Sequence, residues 1–179
     1  MKKIITVMLV VVMCLFIFTP YTYSLKVNTD NQAFGATKAS TDQVIVITLY
    51  PDNPYMTVSG TSQEIDPGRG TKPVIIPEWG RTVVPIRAIV EALGGTISWI
   101  PETRGITILL GDIGIGLQIG NSTALVKYSP VKIDPNNYDV KPIIINDRTM
   151  LPLRFVAESL GCDVGWDPDT RTITITYDG

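Results

Sequence analysis

Apolar positions along the chain alternate between strand-like and helix-like spacing, and the whole sequence of changes occurs twice. Val44 to Leu49 is β-branched and apolar throughout, a strand by propensity and length. Tyr55 to Ile65 and Thr71 to Ile76 are also extended, interrupted at Ser59-Gly60 and Pro67-Gly68-Arg69-Gly70, where turns are expected. Thr82-Val83-Val84 ends a further strand. Pro85 then opens a helix, because the first helical turn has no partner for the N–H that proline lacks. Ile86, Ile89, Val90 and Leu93 give that helix one apolar stripe, and Gly94 ends it in a left-handed cap. Ile97 and Trp99 alternate along the next strand, with Trp99 expected in the core. Pro101-Glu102-Thr103 turns the chain back into Arg104 to Leu109 as a hairpin.

The second pass realigns on the first without a gap, Arg81 to Ile108 on Arg148 to Ile175 at a shift of 67 residues. The matched positions include Arg81/Arg148, Pro85/Pro152, Arg87/Arg154, Glu91/Glu158, Gly94/Gly161 and Trp99/Trp166. Leu153, Val156, Ala157 and Leu160 repeat the helical stripe. Ahead of them, Ile115 to Ile119, Ala124 to Val126 and Pro142 to Ile145 echo the earlier strands. Asn146-Asp147 stands where the first copy carries the longer Pro77-Glu78-Trp79-Gly80. A unit used twice is first a way to bury a hydrophobic face. The expected class is α+β, an antiparallel sheet packed on short helices, built from two tandem copies of a strand-helix-hairpin motif. The copies span 44–110 and 111–179, either as separate repeats or as one domain 44–179.

The amino terminus has a different character. Met1-Lys2-Lys3 followed by the apolar run Ile4 to Phe18 has the layout of a secretory signal peptide. Residues 1–24 form that segment, with cleavage as late as 35, and the run is shorter than the roughly 20 residues of a spanning helix. The chain is therefore expected outside the cytoplasm, secreted or at the cell surface, touching membrane only through an uncleaved signal. Residues 25–43 are polar, aperiodic and expected to tether. The signal inflates the mean hydropathy of +0.22, and the net charge of −2 with no basic stripe argues against nucleic acid. Cys14 leaves with the signal. Cys162 stands alone where the first copy has Gly95, and with no histidine in the chain it reads as a packed residue.

R-T-[VM]-[VL]-P-[IL]-R, then E-x-L-G, then W-x-P-x-T-R with I-T-I, resembles the copper amine oxidase N-terminal-like, or stalk, domain family over roughly residues 44 to 177. The resemblance implies a twisted antiparallel sheet around a helix, an exported setting and a non-catalytic appendage. Quinone chemistry of the catalytic domain would need three histidines for copper. This chain has none, so Asn137-Tyr138-Asp139 matches the quinone tripeptide without the metal site. Asp134, Asn136 and Asp139, or Asp167 and Asp169, do not follow a calcium-loop pattern and read as solvated turns, so no metal or cofactor is expected.

Arg87/Glu91 and Arg154/Glu158 are spaced for helix-surface pairs. Together with Arg81, Arg148, Arg104 and Arg171 they are expected to brace turn, strand and helix. Trp79 in the first-copy insertion, with Tyr55 and Tyr138, is the expected contact surface for a cell-wall polymer or an envelope protein. The reading from a different class is a small secreted hydrolase using Glu91 and Glu158, which requires both carboxylates in one cleft.

Overall fold

The computed structural model describes residues 44–179; the expected signal and tether lie outside the described residues. The chain runs β1 (Ile45–Leu49), β2 (Tyr55–Val58), β3 (Thr61–Glu64), β4 (Val74–Ile76), β5 (Arg81–Val84), α1 (Arg87–Ala92), β6 (Thr96–Ile100) and β7 (Gly105–Leu110). It continues through β8 (Ile113–Gln118), β9 (Thr123–Val126), β10 (Ser129–Lys132), β11 (Ile143–Ile145), β12 (Arg148–Pro152), α2 (Leu153–Ser159), β13 (Asp163–Asp167) and β14 (Thr172–Tyr177). Among the described residues antiparallel sheet dominates, with two short helices.

Three sheets form, in the orders β13-β14-β1-β2-β3, β10-β9-β8-β7-β6 and β11-β12-β5-β4. The first two correspond strand for strand. β1, β2 and β3 lie 68 residues before β8, β9 and β10, yet β1 pairs with β14 at the far end of the chain, Ile45 opposite Tyr177 through Leu49 opposite Ile173. The first three strands of the first copy thus complete the sheet of the second. In the small central sheet β5 meets β12 with Val84 opposite Leu151, two repeat-equivalent residues facing one another. The molecule has an internal pseudo-two-fold relation passing through that pair.

Burial follows the helical stripe. Ile86, Ile89, Val90, Leu93, Leu153, Val156, Ala157 and Leu160 are all buried, in one hydrophobic cluster with residues from both larger sheets. Proline precedes each helix without entering it, Pro152 immediately before α2 and Pro85 after the end of β5, two residues before α1. Helices of six and seven residues have little intrinsic stability, so their order comes from this packing. Both end alike. Gly94 and Gly161 take φ of +83° and +87°, donating to the carbonyls of Glu91 and Glu158. The next N–H, of Gly95 or Cys162, donates to Val90 or Ala157, which completes a Schellman cap in each copy.

Candidate functional site

The repeat-equivalent arginines Arg81 and Arg148 clasp one copy to the other. Arg81 Nε donates to Asp134 at 2.8 Å, and Arg148 Nε donates to Asp66 at 2.6 Å. These acids follow β10 and β3, so each bridge joins the start of one central strand to the loop beyond an edge strand of a larger sheet. Asp134 is not a solvated turn residue as its sequence setting suggests. It is 7 % exposed, and its other oxygen accepts the N–H groups of Asn136 and Asn137. Burial pushes the Asp66 carboxyl up, but hydrogen bonds from Thr71 and Arg148 and the nearby charges of Arg148 and Arg69 outweigh it and hold its pKa below the usual value.

Arg87 and Arg154 do two jobs. They pair with Glu91 and Glu158 at 3.5 and 3.0 Å, and they donate to the carbonyls of Ile97 and Val164 on the following strands. The exposed ion pairs contribute only a few tenths of a kcal/mol. The backbone bonds fix each helix beside its edge strand.

Between the helices and the opposite sheet's edge run two grooves. The first, of about 1120 Å³, has Arg87, Ala88, Glu91 and Trp99 on one side, Glu64 and Asp66 on the other, and Asp147 and Arg148 at its end. The second, of about 910 Å³, has Arg154, Phe155, Glu158 and Trp166 facing Lys132 and Asp134, with Gly80 and Arg81 at its end. They are repeat-equivalent. Trp99 and Trp166 wall them at 39 % and 42 % exposure, so neither tryptophan is a core residue. The reason is topological: β6 and β13 are edge strands, and the inward face of an edge strand at this end covers a groove instead of a packed layer.

Glu91 lines the first groove and Glu158 the second, each paired with its own arginine. The shared cleft that a two-carboxylate hydrolase needs is not formed by these residues. Among the described residues no group of three acidic or cysteine side chains is placed to hold a metal ion. Asp167 instead accepts the Thr170 hydroxyl and the N–H groups of Asp169 and Thr170, and these bonds lower its pKa. Cys162 is buried, and desolvation with the charges of Asp163 and Asp178 pushes its thiol up to about 11, which keeps it protonated and unreactive.

The family model for the copper amine oxidase N-terminal domain matches residues 63–175. The chain belongs to that family. The match runs from β3 into β14 and so contains both grooved helices, both clasping arginines and both tryptophans. No curated protein and no solved structure matches the chain.

The three aromatic residues singled out for contact are dispersed. Trp79 is half-buried against the core within the Pro77–Gly80 turn, not projecting from it. Tyr55 is exposed and donates to Glu64 at 3.5 Å beside the first groove. Tyr138 is exposed beside the second, with Lys132 Nζ 5.3 Å from its ring centroid. Sequence reasoning missed Asp66, Asp134, Lys132 and Phe155. The acids sit 68 residues apart, outside the aligned block but inside the pattern of matching strands, and that spacing was the available signal.

Proposed function

We propose that this chain is an exported, non-catalytic module of the cell envelope that holds an anionic wall polymer in its second groove and thereby anchors or spaces what surrounds it. The basic start and apolar run of residues 1–18 support the exported setting. One observation carries the binding role. Exposed Trp166 and half-buried Phe155 line the same groove as Lys132, for which no ion-pair partner occurs among the described residues. An aromatic wall with a nearby cation that is held by the Thr123 hydroxyl and neutralised by no described acid suits a ligand that has both an apolar face and negative charge. Arg81 and Arg154 are occupied by Asp134 and Glu158, so the excess charge of the groove is the lysine.

Co-sedimentation of residues 36–179, which include the whole described unit, with purified cell-wall sacculi tests the reading. Saturable binding that weakens with salt is expected, with a loss of at least about tenfold in Trp166→Ala and in Lys132→Glu. Trp99→Ala is expected to bind as the parent does. Absence of saturable binding, or an equal loss from Trp99→Ala, overturns the wall-polymer reading.

A further inference from the structure

We propose that the β9–β10 hairpin tip of one copy of this chain docks Tyr128 into the first groove of a second copy. This goes beyond the wall-binding reading and uses the other groove; the two share Lys132, but Tyr128 and Ala88 take no part in wall binding, so substitutions there test this contact alone. The equivalent hairpin, β2–β3, turns through Ser59-Gly60, with φ of +46° and +86°. The β9–β10 turn uses the same geometry with Lys127-Tyr128, at +48° and +66°. This two-residue turn needs positive φ at both central positions, which glycine adopts freely and tyrosine does not. Tyr128 is nevertheless 99 % exposed, so among the described residues nothing packs on the ring. Strained backbone that presents a bare aromatic side chain marks a place for contact.

The flanks change in the same sense. Leu125, Pro130 and Val131 stand where β2–β3 has Thr57, Ser62 and Gln63. β10 is an edge strand, but Pro130 has no N–H to offer an added strand, so a partner must read this hairpin through side chains.

The receiving surface is on the same molecule. Ala88 stands in the first groove where the second has Phe155, which leaves the first groove larger and short of one ring beside Trp99. Glu64 and Asp147 line it with no ion-pair partner among the described residues. The hairpin brings Lys132, and Lys127 held by Asp112 at 3.1 Å. Tyrosine beside lysines meets tryptophan in a groove whose carboxylates, Glu64, Asp66, Glu91 and Asp147, outnumber its arginines, Arg87 and Arg148. Two tips meeting each other would oppose lysine with lysine. The contact is therefore head-to-tail, and such a contact does not close on itself after one pairing.

Each half supplies a control for the other. Tyr128→Gly installs the residue of the equivalent turn, and Ala88→Phe installs the ring of the equivalent groove, so both substitutions suit the fold. Sedimentation velocity on residues 36–179 from about 10 μM to about 1 mM, the range of weak contacts, should show mass rising with concentration and falling with salt. Each variant should weaken self-association at least about tenfold while melting as the parent does or higher. A mixture of the two should form a one-to-one complex that grows no further, because one partner keeps the groove and the other keeps the tip. A parent that stays monomeric throughout, or assembly that survives both substitutions, overturns the proposal.

Discussion

Two faces of this molecule that correspond residue for residue have diverged in chemistry. Across the outer face of the first sheet runs Gly165, Thr174, Thr48, Thr57 and Ser62, each opposite the next. The matching row on the second sheet is Ser98, Thr107, Gly116, Leu125 and Pro130. The first is a hydroxyl row suited to water. The second loses its central side chain and becomes apolar toward the β9–β10 hairpin. The frame beneath does not diverge: both copies keep the glycine cap, the arginine clasp and the arginine bond from helix to edge strand. The constraints of folding hold those positions in common, and the differences collect at the hairpins and grooves where recognition is proposed.

The shared frame should break first at its centre. Leu151→Ala removes packing from the pair on the pseudo-two-fold and should cost about 3 kcal/mol. Unfolding in urea should remain a single transition, since both copies depend on that contact. Two separate transitions would show that the halves are independent.

The helix ends sharpen the comparison. A Cβ added at Gly95 would lie 2.7 Å from the Leu109 carbonyl oxygen and 2.9 Å from Val90 Cγ1, whereas Cys162 fits beside the smaller Ala157. Gly95→Cys should cost about 2 kcal/mol, and adding Val90→Ala should recover only part of it because the carbonyl contact remains. Thermal melts of the single and double variants check this.

The clasps come next. Arg148→Met should cost about 1.5 kcal/mol, discounted for the partial exposure of the bridge. Because the folded-state pKa of Asp66 is depressed, its stabilisation is present above the unfolded value of about 3.9 and is lost as pH falls through the lower folded value. Acid titration of the variant should show a smaller loss, since the Thr71 hydrogen bond and the Arg69 charge remain.

The effect that is smallest at neutral pH concerns Cys162. A pKa raised from 9.0 to about 11 gives stability that is fully present below about 9 and lost as pH rises through about 11. Cys162→Ala should flatten that alkaline decline, and in the parent a thiol reagent should label Cys162 only on unfolding.

Much of the frame was legible because it rests on local rules. The helical stripe, the glycine caps and most strands follow from spacing within a few residues. What escaped depends on pairing between distant segments. β10 was hidden because Pro130 argues against a strand, which holds for central strands and fails at an edge. Alternation placed Trp99 and Trp166 on the inward face but could not reveal that this face overlies a groove. Asp66 and Asp134 meet arginines 82 and 53 residues away, beyond any local signal. The site was less legible than the fold for the same reason, since each groove is assembled from both copies.

The interlaced frame is tested most directly by cutting the chain where the sequence repeat ends. Residues 44–110 retain β1, β2 and β3 but lack β14, the strand that holds them, and lack the sheet partners β8 to β10. Amide hydrogen exchange on this fragment and on 111–179 should show no protected core in either one alone, with protection appearing when the two are mixed. A protected, cooperatively folded core in 44–110 by itself would contradict the account.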